Sequence, residues 1–283
     1  MPISGLFLGL TTLDLQYRLP HYPAPNSKHK VAETDISLGG PAANAAATFA
    51  YLGGKSTFCT VVGQHALTSF FADQFQAYQI EAIDLSPHSP YLPTLASVLT
   101  SADNGDRTIV TNIRQVSELI FERIPKDKAW DIILVDGFHM EAAIELARWG
   151  RNQQIPVVLD GGSWKEGMAD LLTHVDIAIC SADFQLPGGG DVFRYIAERG
   201  VSAIAQSRGG KEILSVEREK RSAIAVPQVE VVDTLGAGDV LHGAFCWHYA
   251  QSGDFADALQ KAAEVASESC RYFGAKTWMK KGL

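Results

Sequence analysis

Between residues 130 and 210, short apolar runs alternate with helical stretches at a spacing that leaves few folds open. Residues 132–136 (IILVD), 156–160 (PVVLD), 175–180 (VDIAIC) and 201–206 (VSAIAQ) are apolar with little alternation, and helical patterns such as 140–151 and 192–199 separate them. A strand that is apolar on both sides is covered on both faces, and strands that alternate with helices pair in parallel. The expected class is therefore α/β, a parallel-dominated sheet layered between helices. The same rhythm runs outward, with strands at 3–10 and 56–63 and helices at 66–79, 237–251 and 255–272. Hydrophobic residues make up 46% of the 283 positions, enough for a large core without disulfides or a structural metal. An α/β fold of this length commonly forms one unit, so residues 1–283 are read as one domain.

Local punctuation supports the elements. The helix after residue 40 opens with Pro41 at its first position, carries an alanine-rich interior and stops at Gly53-Gly54. Two regions break the rhythm. Residues 12–38 are polar and proline-bearing, and the β-rich runs 94–100 and 107–113 are joined by SADNGD, where Asn104-Gly105 signals a hairpin turn. Antiparallel structure is expected there, a small β appendage or lid built from about 12–38 and 93–115. A further β-rich stretch covers 213–232.

Composition excludes several classes. The formal charge of −8 disfavours a nucleic-acid partner, since phosphate backbones reward basic surfaces. No apolar run approaches the length of a membrane span, and the first twenty residues lack the basic start of a signal peptide. Cys59, Cys180, Cys246 and Cys270 are widely spaced without a CxxC pair, and read as buried hydrophobes in a reducing compartment. The histidines form no HxxxH or HExxH pattern, so no zinc is expected. A cytoplasmic protein follows.

The chemistry concentrates in Val232-Asp233-Thr234-Leu235-Gly236-Ala237-Gly238-Asp239, where a β run stops and a long helix starts. The first amides of a helix lack internal partners and small residues let an anion approach them, so the turn suits a phosphate. Asp239 in the first turn would repel that anion; serving as the base for a hydroxyl that attacks phosphorus explains it. A glycine-rich connection whose Asp simply favours the helix dipole is the competing account. Other nucleotide motifs fail. Gly54-Lys55-Ser56 lacks the first glycine of a Walker loop, which falls on Phe49, and Gly236-Ala237-Gly238 lacks the third glycine of the dinucleotide fingerprint at Leu241. Gly39-Gly40-Pro41-Ala42-Ala43-Asn44 and Asp14 form a second group. Separately these are a hinge, a local bond and a strand end; paired, a carboxylate and a carboxamide suit a polyol.

On GGPAAN with its alanine-rich helix, on Asp14 and above all on VVDTLGAGD, the whole chain resembles the ribokinase-like (PfkB) carbohydrate kinases. GDRTIV, VVLDGG and GAGDVLHGAF place the similarity on the sulfofructose-kinase and ketohexokinase side. The resemblance implies a ribokinase-like three-layer sandwich with a β-sheet lid, and ATP- and Mg2+-dependent phosphorylation of a sugar. Asp239 matches the family's catalytic base, and Gly236, Ala237 and Gly238 its anion hole. Asp14, Gly39, Gly40 and Asn44 match sugar-holding positions, and Arg107 a lid residue that reaches the substrate. Ser207, Gly209 and Thr234 match the nucleotide segment, and Asp160 resembles either an active-site aspartate or a strand-end cap. Two departures stand out. Ser181-Ala182-Asp183-Phe184 replaces the Asn-x-x-Glu run that organises water around magnesium, and Glu212 replaces a glycine of the nucleotide loop. No protein residue is assigned as a direct metal ligand.

Three readings follow: a kinase of a ketose or small polyol, a nucleoside kinase of the same family, or a catalytically idle sugar- or nucleotide-binding protein. An open lid sheet needs its edges and apolar face covered, so a homodimer through the lid is expected.

Overall fold

The alternating runs build one half of a large sheet. The computed structural model describes residues 2–31, 33–90, 92–103, 107–113, 116 and 118–282. In chain order its elements are β1 (Ser4–Leu8), β2 (Thr12–Leu19), β3 (Glu33–Gly39), α1 (Pro41–Tyr51), β4 (Lys55–Thr60), α2 (Thr68–Ala77), β5 (Ile80–Asp84), β6 (Thr94–Ser101) and β7 (Arg107–Thr111). There follow β8 (Ile132–Val135), α3 (Met140–Asn152), β9 (Val157–Gly161), α4 (Met168–Leu171), β10 (Ile177–Ser181), α5 (Val192–Ala197), β11 (Ala203–Arg208), β12 (Lys211–Glu217), β13 (Lys220–Ile224), α6 (Ala237–Ser252) and α7 (Phe255–Ser269). The large sheet runs β13-β12-β11-β10-β9-β8-β1-β4-β5, parallel from β11 to β5, with β12 and β13 antiparallel at one edge.

Two apolar layers cover it. Phe7, Leu134, Val158 and Ile179 pack against α1, α6 and α7, whereas Leu6, Leu8, Ile133, Val135 and Leu159 pack against α3 and α4. Successive side chains therefore enter different cores, which is why these strands read as unbroken apolar runs. Cys59, Cys180 and Cys246 are buried in these layers as free thiols. Pro41 stands at the start of α1 with Gly40 as its N-cap at φ 103°, and Gly53 follows its end at φ 107°.

Three expectations shift. The first strand ends at Leu8 rather than at residue 10, because the Leu10 amide donates to Asp136 Oδ2 at 2.9 Å instead of to a ladder partner. The appendage is a separate four-stranded sheet, β3-β2-β6-β7. Its β2–β3 and β6–β7 pairs are antiparallel, but β2 and β6 are parallel. The chain between those two passes through β4 and β5 of the large sheet, a crossover that brings β6 back in the same direction. The Asn104-Gly105 turn lies outside the described residues. The β-rich stretch 213–232 keeps strand structure only to Ile224, since Pro227 offers no N–H and the amides of Val232 and Asp233 donate to the Cys270 carbonyl. Arg218 and Glu219, at φ 45° and 71°, make the β12–β13 turn without the usual Asn-Gly.

Candidate active site

The segment before α6 is pinned by Asp233. Its buried carboxylate accepts hydrogen bonds from the Leu235 amide (3.0 Å), the Gly274 amide (2.9 Å) and Gln16 Nε2 on β2 (2.5 Å). Gly236 then turns with φ 74°, and a Cβ there would stand 3.0 Å from that of Ala275. The Ala237 amide donates to the Thr234 carbonyl at 3.3 Å; those of Gly238 and Asp239 lie in the first helical turn, where no internal acceptor exists. A Cβ on Gly238 would meet nothing within 4 Å, so the approach to these amides is open.

Asp239 is enclosed on most sides yet keeps some surface open to the cleft. Burial, reinforced by the nearby Asp160 carboxylate, pushes its carboxyl up to about 7. Asn44 Nδ2 donates to Asp239 Oδ2 at 2.7 Å and opposes that rise, as do His242 and Lys276. Lys276 Nζ in turn donates to Asn44 Oδ1 at 2.5 Å and to the Leu38 carbonyl. Asp14 on β2 belongs to the same neighbourhood. It is buried, which raises its carboxyl, while a hydrogen bond from Thr12 Oγ1 at 2.5 Å and the charge of Lys276 hold it down. Gly39 lies directly against it: a Cβ would fall 2.2 Å from the Asp14 carboxyl carbon. At Gly40 a Cβ would stand 2.1 Å from the Leu10 carbonyl oxygen, so both glycines admit a close approach as well as a turn.

The carboxyl ends of the parallel strands supply the floor. Asp136 after β8 accepts from the amides of Leu10, Ala42 (3.2 Å) and Phe138 (2.9 Å), tying β1, α1 and β8 together, and burial pushes it up to about 6. Asp160 at the end of β9 is buried, with Oδ2 otherwise unpartnered and 3.4 Å from His242 Nδ1. The His242 nitrogens face the carbonyls of Gly238 (2.6 Å) and Ile179 (3.0 Å).

Arg107 on β7 reaches the segment before α6, where Nη1 donates to Thr234 Oγ1 at 2.6 Å. Ser207, next to last in β11, donates to the Cys180 carbonyl at 3.5 Å; Gly209 follows in an exposed turn at φ 62°. In the departed run, Ser181 donates to the Gly162 carbonyl, Asp183 is exposed, and Phe184 is fully buried against Trp164. The structure thus gathers Asp14, Gly39, Gly40, Asn44, Gly236 and Asp239 around one cleft and brings Arg107 to Thr234, while Ser207 and Gly209 stand on neighbouring strand ends. Sequence reasoning passed over Lys276, Asp136 and His242. Only Asp136 left a signal, an Asp after an apolar strand like Asp160; no local pattern marks Lys276 or His242 as part of the site.

Known proteins share this arrangement of elements. The chain is 20% identical over 285 residues to the ketohexokinase of Mus musculus, covering 94% of this chain and 95% of that one. Its fold matches the ribokinase of Thermotoga maritima with a TM-score of 0.81 at 20% identity, covering 98% and 96% of the two chains. A fructokinase from Xylella fastidiosa, solved with bound ATP, matches with a TM-score of 0.78 at 19% identity over 98% and 94%. The model of the "pfkB family carbohydrate kinase" matches residues 6–281, a span that includes every element contributing to this cleft. With nearly its whole length inside that match, the chain belongs to the PfkB family of carbohydrate kinases, enzymes that phosphorylate sugars or nucleosides.

Proposed function

We propose that this chain transfers the γ-phosphoryl group of ATP to a hydroxyl of a small sugar, with Asp239 as the base. The observation that carries the reading is Asp239 itself, a carboxylate with a raised proton affinity beside unpartnered helix amides and an open glycine. Asp14 and Asn44 hold the sugar. One N–H and one lone pair of the Asn44 carboxamide are already engaged, and the other of each remains for vicinal hydroxyls. The substrate hydroxyl gives its proton to Asp239 as it attacks in line, and the amides of Gly238 and Asp239 meet the charge on the transferring group. The small sheet acts as a lid that excludes water, joined to the motif through Gln16–Asp233 and Arg107–Thr234.

Magnesium fits as an ion carried by the phosphates. Among the described residues no three His, Cys, Asp or Glu side chains are grouped to hold a metal. Of the run 181–184 only Asp183 offers a carboxylate, which suits an ion that keeps most of its waters. Bound there, it would neutralise charge on the phosphates. Nucleotide would lie over Ser207 and Gly209, beside Thr234.

A nucleoside substrate is the second reading, favoured by a cavity of about 760 Å³ beside β1 and β4. Leu10, Val61, Val62 and Ile120 line it together with the imidazoles of His88 and His139, a surface on which a nucleobase could stack. We also propose a homodimer through the lid. Ile36, Leu15, Ser97 and Val110 lie opposite one another across its outer face, and Ile36 and Val110 are 56% and 65% exposed. ADP release measured over ketoses, aldoses and nucleosides tests the assignment. Turnover with a sugar supports it, preference for a nucleoside moves the substrate class, and ATP binding without turnover on any of them overturns the catalytic reading.

A further inference from the structure

The least expected group in the cleft is a lysine. Lys276 lies beyond α7, near the end of the sequence, yet it is only 3% exposed. A lysine is almost never this buried unless a carboxylate pairs with it. Here none does: among the described residues no carboxylate oxygen is within 4.0 Å of its ammonium, which is bound instead to two neutral oxygens, the Leu38 carbonyl and Asn44 Oδ1. The charge is therefore spent on orienting a carboxamide.

That orientation has a consequence for Asp239. An ammonium only donates, so the oxygen of Asn44 must face Lys276 and its nitrogen must face Asp239. Turned over, the carboxamide would set its N–H donors against the Lys276 ammonium and its oxygen against the Asp239 carboxylate, losing both bonds. The groups around Lys276 are Asp14 from β2, Asp35 from β3 and Asp239 from α6, with the Tyr78 ring 5.5 Å away beyond α2. Around Asp239 they are Asp160 from β9, His242 from α6 and Lys276. Burial pulls the Lys276 ammonium down from the usual lysine range while the three carboxylates support its charge. It is the cation that reaches Asp239 from outside α6, and it also acts through Asn44.

We propose that Lys276 is a positioning residue for phosphoryl transfer, locking the Asn44 carboxamide with its nitrogen toward Asp239 and so keeping Asp239 in the proton-accepting form. The inference rests on Asp239 as the base. Removing the ammonium withdraws a cation and releases the amide, and both changes make Asp239 harder to ionise. The rate at neutral pH then falls and recovers as pH rises.

Two variants separate the effects. Lys276→Met removes both charge and donor, and Lys276→Gln keeps a donor for Asn44 Oδ1 without the charge. In kcat/KM against pH, the acid limb should move up by about one pH unit in both, as expected for losing a nearby opposite charge, with the plateau reduced more in the Met variant. A merely structural role lowers the rate equally at every pH. The Asp239 carboxyl is titrated in parallel by 13C NMR on the free protein, its resonance identified by its loss in Asp239→Asn. This second readout needs no turnover, so an inactive wild type would sink the kinase assignment while leaving the Lys276 inference tested. Where the Met variant does not fold, the Gln variant carries both measurements. An acid limb and a carboxyl titration that coincide with the wild type would overturn the proposal.

Discussion

Turnover is expected to switch on across the pH range in which Asp239 gives up its proton. Burial is the main reason its carboxyl rises from 3.8 to about 7, with the Asp160 carboxylate adding to it. A base with a value of about 7 is deprotonated to about 0.09 at pH 6 and about 0.9 at pH 8, so kcat/KM for the sugar should rise about tenfold between them. An aspartate at its ordinary value is about 99% ionised at both and gives a flat line. The assay is coupled ADP release at constant ionic strength with saturating nucleotide and magnesium, so that the sugar step is read. Asp239→Asn should lower kcat by about 10²- to 10⁴-fold, leave nucleotide binding in place and abolish the acid limb of any residual rate. A wild-type rate that is flat from pH 6 to 8, or a limb that survives in Asp239→Asn, would refute the assignment of the base and its environment.

The same group makes a statement about stability. Its value in the folded chain lies above that in the unfolded chain, so its contribution is fully present below about pH 4 and lost as pH rises through about 7. An ionised Asp239 therefore opposes folding at the pH where it is useful. Asp239→Asn should melt higher than the wild type at pH 8, and the difference should shrink toward pH 4. A site that costs stability in the state that does chemistry is the usual trade between function and folding.

Three further outcomes are expected. Gly39→Ala sets a methyl 2.2 Å from the Asp14 carboxyl carbon, so KM for the sugar should rise about tenfold or more with kcat changed less; an unaltered KM would remove Asp14 from the sugar site. A double-mutant cycle of Arg107→Ala and Thr234→Val should show a coupling of about 0.5–1 kcal/mol in folding or turnover, and zero coupling would mean the 2.6 Å contact is not made in solution. Val110→Glu places a charge on the apolar outer face of the small sheet and should convert a dimer to monomer in sedimentation velocity; a wild type that is already monomeric ends the dimer proposal.

What could be read from the sequence follows from where each contact is made. The parallel strands were legible because burial on both faces leaves an unbroken apolar run, as in Ile132–Val135, all four fully buried. The motif before α6 was legible because its turn demands a small residue at Gly236, with positive φ and Ala275 close by, and Gly238 leaves the helix start open. The strand β2 was harder, since its parallel partner β6 arrives only after two strands of the other sheet. Least legible were the hydrogen bonds that hold the site together, and distance along the chain is the reason. Asn44 and Lys276 are 232 residues apart, Gln16 and Asp233 are 217 apart, and Asn44 and Asp239 are 195 apart. No local pattern marks such pairs, because each partner alone looks like an ordinary polar residue. Yet all three join the first fifth of the chain to its last fifth, and two of the three involve VVDTLGAGD. The motif that is easiest to see in the sequence thus carries little of its own environment. Its glycines shape the anion site, while Asp160 on β9, Asn44 on α1 and Lys276 beyond α7 bear on how readily Asp239 accepts a proton, and Gln16 on β2 pins Asp233. A substitution at Gln16, Asn44 or Lys276 should therefore change catalysis while the motif stays intact, and a kinase of this fold is better judged by those distant partners than by the motif alone.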